Sequence, residues 1–320
     1  MAKLADGLTL EITGRMLLAP DIVRIDLARA DGGDLPPFAA GAHIDVVVDE
    51  GLVRQYSLCN NPVERHRYQI AVLRERQSRG GSARVHDAFH PGRQVNVGTP
   101  RNLFALAEGG SRHILIGGGI GITPIMSMAA ALASEGKAFD LHYCCRNPEN
   151  AAFGSAVDAA GGRTYFSRNN GSPRFDPAAA LGSPGADTHV YVCGPAGFMN
   201  AVRDEAKRLG WADASIHREL FESAEPLVQA GDQPFDVRIA STGATFTIAP
   251  GASIASILAD AGVDVPISCE QGVCGTCVTG VLEGVPDHRD SYLTDEERDE
   301  GKLFTPCCSR ALSPLLLLDL

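Results

Sequence analysis

The chain has 320 residues, of which 44% are hydrophobic and 21% charged, and a formal net charge of −11. That is the balance of a soluble globular protein long enough for two or three domains, and the acidic surplus leaves no basic face for nucleic acid. Nine cysteines with no apolar leader after Met1 are expected of a reducing, cytoplasmic setting rather than of a disulfide framework.

Up to about residue 104 the sequence reads as short strands between glycine and proline turns, at 8–12, 22–27, 43–48, 54–58, 68–72 and 94–97. That spacing predicts an antiparallel barrel or sandwich. Two stretches here carry chemistry. In Arg54-Gln55-Tyr56-Ser57-Leu58, Arg54 and Tyr56 share one strand face, the first suited to phosphate and the second to an aromatic ring. An ordinary exposed strand would also use them. In Arg79-Gly80-Gly81-Ser82, two glycines let backbone N–H groups approach a phosphate, and Ser82 can begin a helix. A plain glycine turn is the alternative.

From about 108 to 225 strands alternate with helices, the pattern of a parallel α/β sheet. A buried strand at 113–116 leads into Gly117-Gly118-Gly119-Ile120-Gly121-Ile122-Thr123-Pro124 and an apolar helix through Leu132. Further strands are expected at 140–144, 163–166 and 189–192, and helices near 151–160 and 198–209. The 20 residues from 114 to 133 carry no charge, the length of a membrane span. The four glycines and Pro124 break that run, so a strand, a turn and a helix start are expected instead. The glycine turn lies where a pyrophosphate can use helix N-terminal amides, although its order is not G-x-G-x-x-G. Cys193-Gly194-Pro195 makes a second turn at a strand's carboxyl end. Its thiol is placed either to touch a nicotinamide or to pack as a buried cysteine.

The stretch 225–234 is the best linker candidate. Beyond it, 235–240 and 245–248 form a hairpin around Thr242-Gly243, and 253–261 a short helix with Ile254, Ile257 and Leu258 on one face. Further strands fall at 279–282, from 304, and at 315–318, and Thr294 is placed to cap a helix beginning Asp295-Glu296-Glu297. Cys269, Cys274 and Cys277 stand at C-x4-C-x2-C, and Cys307 follows after 29 intervening residues. This is the plant-type spacing for a [2Fe–2S] cluster, whose two irons need four thiolates. A zinc site usually joins two C-x2-C pairs or adds paired histidines. Here there is one such pair, and His288 has no ligand partner in the sequence. Cys308 adjoins Cys307; the spacing selects Cys307. Residues 235–320 hold 13 acidic and 5 basic side chains, a net of −8. That is either a solvated surface or one steering toward a basic partner.

In this order the motifs resemble the phthalate dioxygenase reductase family, the reductase components of Rieske-type oxygenases, over essentially the whole chain. The likeness rests on 54–58, 80–82, 117–124, 193–195 and 268–277, on the tract 284–290 and on the ending Leu318-Asp319-Leu320. It implies a flavin-binding antiparallel β-barrel over 1–104, a parallel α/β nucleotide-binding domain over 105–226, and a linker with a β-grasp, plant-type ferredoxin domain over 227–320. It implies FMN held by Arg54, Tyr56, Ser57, Ala71, Val72, Gly80, Gly81 and Ser82, and a nicotinamide nucleotide at Gly118, Gly119, Gly194 and Pro195. Thr123 and Cys193 would lie at the hydride-transfer site, with Phe221 and Glu222 closing the flavin pocket. Thr123, Cys193 and Glu222 are thus the expected catalytic set, and Cys269, Cys274, Cys277 and Cys307 the metal ligands. NADH is the expected nucleotide. NADPH is the alternative, since Ser167-Arg168, with Arg174 nearby, suits a 2′-phosphate. The expected function is electron transfer from NADH through FMN and [2Fe–2S] to a terminal Rieske-type oxygenase, by a monomer that binds neither membrane nor nucleic acid. The alternatives are a stand-alone flavin, ferredoxin or quinone reductase and a non-enzymatic electron-transfer module.

Overall fold

In the computed structural model, residues 7–75, 80–168, 171, 173–221 and 228–320 are described. Contacts divide the chain into two units, Met1–Glu219 and Leu220–Leu320.

The first unit opens with six antiparallel strands: β1 (Leu8–Ala19), β2 (Ile22–Ala28), β3 (His43–Asp49), β4 (Leu52–Ser57), β5 (Tyr68–Leu73) and β6 (Gln94–Val97), with helix α1 (Gly81–Ala88) between β5 and β6. They pair in the order β4-β3-β6-β1-β2-β5, and a bridge between Leu58 and Ile70 brings the two edge strands together. Alternation explains the closure. Val23, Ile25 and Leu27 of β2 point inward and are fully buried, with Arg24 and Asp26 on the other face as a salt bridge. Each such side chain contributes roughly 1.5–3 kcal/mol on burial. Tyr68 is buried with them and satisfies its hydroxyl by donating to the Pro36 carbonyl at 2.6 Å.

Five parallel strands follow: β7 (Arg112–Gly118), β8 (Ala138–Cys145), β9 (Arg163–Phe166), β10 (Thr188–Cys193) and β11 (Ile216–Glu219), in the order β11-β10-β7-β8-β9. Helices α2 (Ile122–Ser134), α3 (Gly154–Ala159), α4 (Pro177–Leu181) and α5 (Ala196–Arg208) connect them. The uncharged run at 114–133 is thereby divided into β7, a turn and α2, and no helix among the described residues is long and apolar enough to cross a membrane. The barrel and this sheet share a core. Ala19, Ile22, Cys59, Ala71 and Phe104 pack in one cluster with Leu115, Ile122, Met128 and Cys193.

The second unit is a mixed sheet of β-grasp type. Its strands are β12 (Phe235–Ile239), β13 (Thr245–Ile248), β14 (Thr279–Glu283), β15 (Pro286–Asp287), β16 (Leu303–Phe304), β17 (Arg310–Ala311) and β18 (Leu315–Leu318), with helices α6 (Ile254–Asp260) and α7 (Asp295–Glu300). The order is β13-β12-β18-β14-β16, with β15 and β17 paired separately. Strand β18 runs parallel to β12 and antiparallel to β14. Ile254 and Leu258 of α6 complete the core with Val237, Phe304 and Leu316.

Candidate functional site

Three groups of residues singled out in the sequence can be followed into the fold. The first lies at β4, β5 and the start of α1. Gly80 adopts a left-handed conformation (φ 91°) and leads into α1. A Cβ on Gly81 would fall 2.7 Å from Cγ of Arg54, so the arginine stem lies directly on the glycine turn. The strand thus brings a guanidinium to a helix N-terminus, a setting that suits a phosphate. Ser82 Oγ accepts the Glu75 N–H at 3.0 Å. Tyr56 packs against the barrel core, and burial pushes its phenol above the ordinary range. Ala71 faces the core shared with the parallel sheet. Val72 is buried in the barrel, and its carbonyl is 2.9 Å from His86 Nε2.

The second group joins the two glycine turns at the carboxyl ends of β7 and β10. Their backbones touch. A Cβ on Gly121 would lie 2.5 Å from the carbonyl of Cys193 and 2.6 Å from the Gly194 nitrogen. Only glycine fits at 121. Gly118 packs against Gly194, Pro195 and Phe198, and Gly119 turns from β7 toward α2. Thr123 is 2% exposed and donates its hydroxyl back to the Ile120 carbonyl at 3.0 Å. Cys193 is fully buried, and that burial raises its thiol well above the ordinary value, with the Glu219 carboxylate adding to the effect.

Glu219 itself was not singled out in the sequence. The parallel register pairs it with Cys193, and its carboxyl accepts the Ser57 hydroxyl at 3.3 Å. Part of the residue's surface stays open, yet the carboxyl sits deep enough for burial to raise it to about 8, against a lowering by Ser57. The structure therefore gathers Ser57, Cys193 and Glu219 from three strands. Phe221 is exposed, and Glu222 lies outside the described residues. A lone glutamate ending a four-residue strand leaves no periodic signal; only strand register finds it.

The third group is the cysteine set. Cys269, Cys274, Cys277 and Cys307 are 8%, 8%, 3% and 6% exposed. Their thiols meet. Cys269 hydrogen-bonds with Cys274 and Cys307, which holds it below the ordinary thiol range, and Cys277 hydrogen-bonds with Cys307. Backbone amides point at the sulfurs: the Gln271 N–H donates to Cys269 Sγ at 3.3 Å. Glu270 takes a left-handed conformation (φ 53°) to shape this loop. Four buried sulfurs with amide donors fit an anionic thiolate-held cluster. Among the described residues no three His, Cys, Asp or Glu groups are arranged to hold a single ion; a two-iron cluster divides four thiolates between two metals.

Comparison with known proteins agrees with this geometry. Residues 237–312 match the 2Fe-2S iron-sulfur cluster binding domain model. A vanillate O-demethylase oxidoreductase of Pseudomonas sp. (strain HR199 / DSM 7063) is 48% identical over 313 residues, covering 97% of this chain and 98% of that one. Phthalate dioxygenase reductase of Burkholderia cepacia is 40% identical over 321 residues, covering 98% of each. A solved phthalate dioxygenase reductase, described as a modular structure for electron transfer from pyridine nucleotides to [2Fe-2S], superposes with a TM-score of 0.80 at 39% identity over 98% of both chains. On likeness of this extent, the chain belongs to the phthalate dioxygenase reductase family, together with the vanillate O-demethylase oxidoreductases.

Proposed function

We propose that this oxidoreductase is the reductase component of a two-component oxygenase, moving electrons from NADH through FMN and a [2Fe–2S] cluster to a Rieske-type terminal oxygenase. The observation that carries this reading is the meeting of four buried thiols, Cys269, Cys274, Cys277 and Cys307, in a chain that also holds two touching glycine turns at parallel strand ends. We assign the flavin module to 1–104, the nucleotide module to 105–226, and the linker with the cluster module to 227–320. We infer further a cytoplasmic setting and a monomer that meets its oxygenase transiently.

Flavin supplies the conversion of an electron pair into single electrons. The chain's residues do the rest. Arg54 and the amides at Gly80, Gly81 and Ser82 hold the flavin phosphate. Tyr56, Ser57, Ala71 and Val72 orient its ring. Gly118, Gly119, Gly194 and Pro195 let the nucleotide approach the backbone closely. Thr123 and Cys193, both buried, keep water from the transfer site, and burial keeps the Cys193 thiol neutral. Burial favours the protonated form of Glu219, whose carboxyl accepts the Ser57 hydroxyl. Cys269, Cys274, Cys277 and Cys307 ligate iron.

The test is an anaerobic titration of the isolated protein with NADH, and in parallel with NADPH. NADH is expected to bleach the flavin absorption first and the cluster absorption after it, and the reduced protein to reduce a partner Rieske oxygenase. Failure of NADH to bleach the flavin would defeat the proposal. Partner-free NADH oxidation at the coupled rate would instead support a stand-alone reductase.

A further inference from the structure

Next to the fourth cysteine of the cluster set stands a thiol that is not one of the four. Cys308 is 5% exposed and in hydrogen-bond contact with the Cys307 thiol. Its sulfur lies 3.2 Å from Thr305 Oγ1, which lies 2.9 Å from Ser309 Oγ. Ser309 Oγ accepts the backbone N–H of Arg289 at 3.2 Å. Thr305 and Ser309 are 0% and 2% exposed, so the whole chain of polar groups is shut away from solvent.

The far end of this chain is anchored by a donor. A backbone N–H can only donate. With the Arg289 N–H on one lone pair, the Ser309 hydroxyl hydrogen is free to go to Thr305 and that of Thr305 to the Cys308 sulfur, and in that arrangement the Cys308 S–H is the remaining donor. Its nearby acceptors other than Cys307 are poor. The Thr305 carbonyl is 3.8 Å away and already accepts the amides of Cys308 at 3.2 Å and Ser309 at 2.9 Å. Ser309 Oγ is 3.9 Å away. The loop bearing Cys269 and Cys274 closes over this thiol: a Cβ on Gly272 (φ +69°) would fall 2.5 Å from the Cys308 sulfur.

We propose that Cys308 is a positioning residue for the cluster, the last donor of the Ser309–Thr305–Cys308 chain, giving its S–H to the Cys307 sulfur and thereby favouring the reduced state. This rests on the reading that the four cysteines hold [2Fe–2S]. Reduction adds negative charge that is shared by the ligand sulfurs. A hydrogen bond to one of them stabilises that charge, which is how hydrogen bonding sets the potential of such clusters.

The test is spectroelectrochemical titration of the cluster in the full-length protein and in Cys308→Ala, Cys308→Ser and Thr305→Val. Cys308→Ala is expected to shift the one-electron equilibrium toward the oxidised form by roughly tenfold, about 59 mV. Cys308→Ser keeps a donor and should stay within roughly threefold of wild type, and Thr305→Val should shift the same way as Ala but by less. A Cys308→Ala cluster titrating at the wild-type potential overturns the proposal. Should Cys308→Ala not retain iron, Thr305→Val decides, and a wild-type potential there overturns it as well. Loss of the cluster from Cys308→Ala with retention in Cys307→Ala would make Cys308 the ligand and also overturn it. Wild-type protein lacking a two-iron spectrum would refute the underlying cluster reading instead.

Discussion

Burial lifts the Glu219 carboxyl from 4.5 to about 8, and this has a sign that can be tested. Below pH 4.5 the folded and unfolded chains both keep the proton. Between 4.5 and about 8 the unfolded chain releases it while the folded chain retains it, so stability falls as pH rises through that window. Glu219→Gln keeps the shape and removes the proton. The variant should match wild type near the lower limit and exceed it at pH 8 by on the order of 1–3 kcal/mol, after discounting for the exposed part of the residue. Equal stability differences at pH 5 and pH 8, measured by denaturant unfolding, would show that the carboxyl ionises as it does in water. The same residue marks a limit of sequence reading. Arg54, Gly80 and Gly81 stand out in short local motifs; Glu219 touches Ser57, 162 positions away. The family resemblance pointed to Glu222, which lies outside the described residues.

Strand register creates groupings at the next scale up. His113, His189 and His217 stand on β7, β10 and β11, where His189 pairs with His113 and Tyr191 with His217. His189 Nδ1 is 3.1 Å from His217 Nε2. The His217 ring stacks on Tyr191 at 4.7 Å, and the Tyr191 hydroxyl accepts the Ala107 N–H at 2.8 Å, just before β7. Burial lowers His113 and His217 below 6.5. Folding thus disfavours protonating either ring, and their contribution to stability is present above pH 6.5 and is lost as pH falls below it. The thermal midpoint should drop on acidification through this range, with a shallower slope in His217→Phe, which keeps the stacking. Identical slopes would clear the trio. A similar grouping occurs at Asp232. The stretch 225–234 reads as a linker, yet the Asp232 side chain is 5% exposed and bonds Arg289 at 2.6 Å, with Arg310 at 3.7 Å. Asp232→Ala leaves two buried guanidinium groups without their shared carboxylate. Removing one partner of a buried pair costs about 3–5 kcal/mol, and because this clasp lies just beneath the surface we expect about 2–3. A loss under about 0.5 kcal/mol, as for surface pairs, would count against the clasp. Two short elements escaped the sequence, β11 and α4, of four and five residues, although the four-residue strands β9 and β13 were placed. Long periodic stretches such as β7 and α2 were legible.

At the scale of the molecule, the residues assigned to flavin and nucleotide that pack in the fold lie at or before Glu219, and the four cysteines lie in 220–320, with a core built wholly from that unit. The order of modules was legible because each signature is local: an Arg-x-Tyr-Ser strand, a glycine turn after a strand, a C-x4-C-x2-C loop. That the first two share one apolar core was not, since the core is assembled from single residues scattered between Ala19 and Cys193. This division predicts how damage should spread. Cys274→Ser removes one ligand from the loop and should abolish the visible absorption of the cluster while NADH-driven flavin bleaching persists at the wild-type rate. Because metal binding contributes to the folding of its own unit, the same variant should lower the thermal transition of 220–320 and leave that of 1–219 in place. Calorimetry would then resolve two transitions where one alone moves. If flavin reduction were lost in a protein whose first transition is intact, electron entry would depend on the cluster loop, and the assignment of hydride transfer to the first unit would be wrong. If both transitions moved together, the two units would be folding as one.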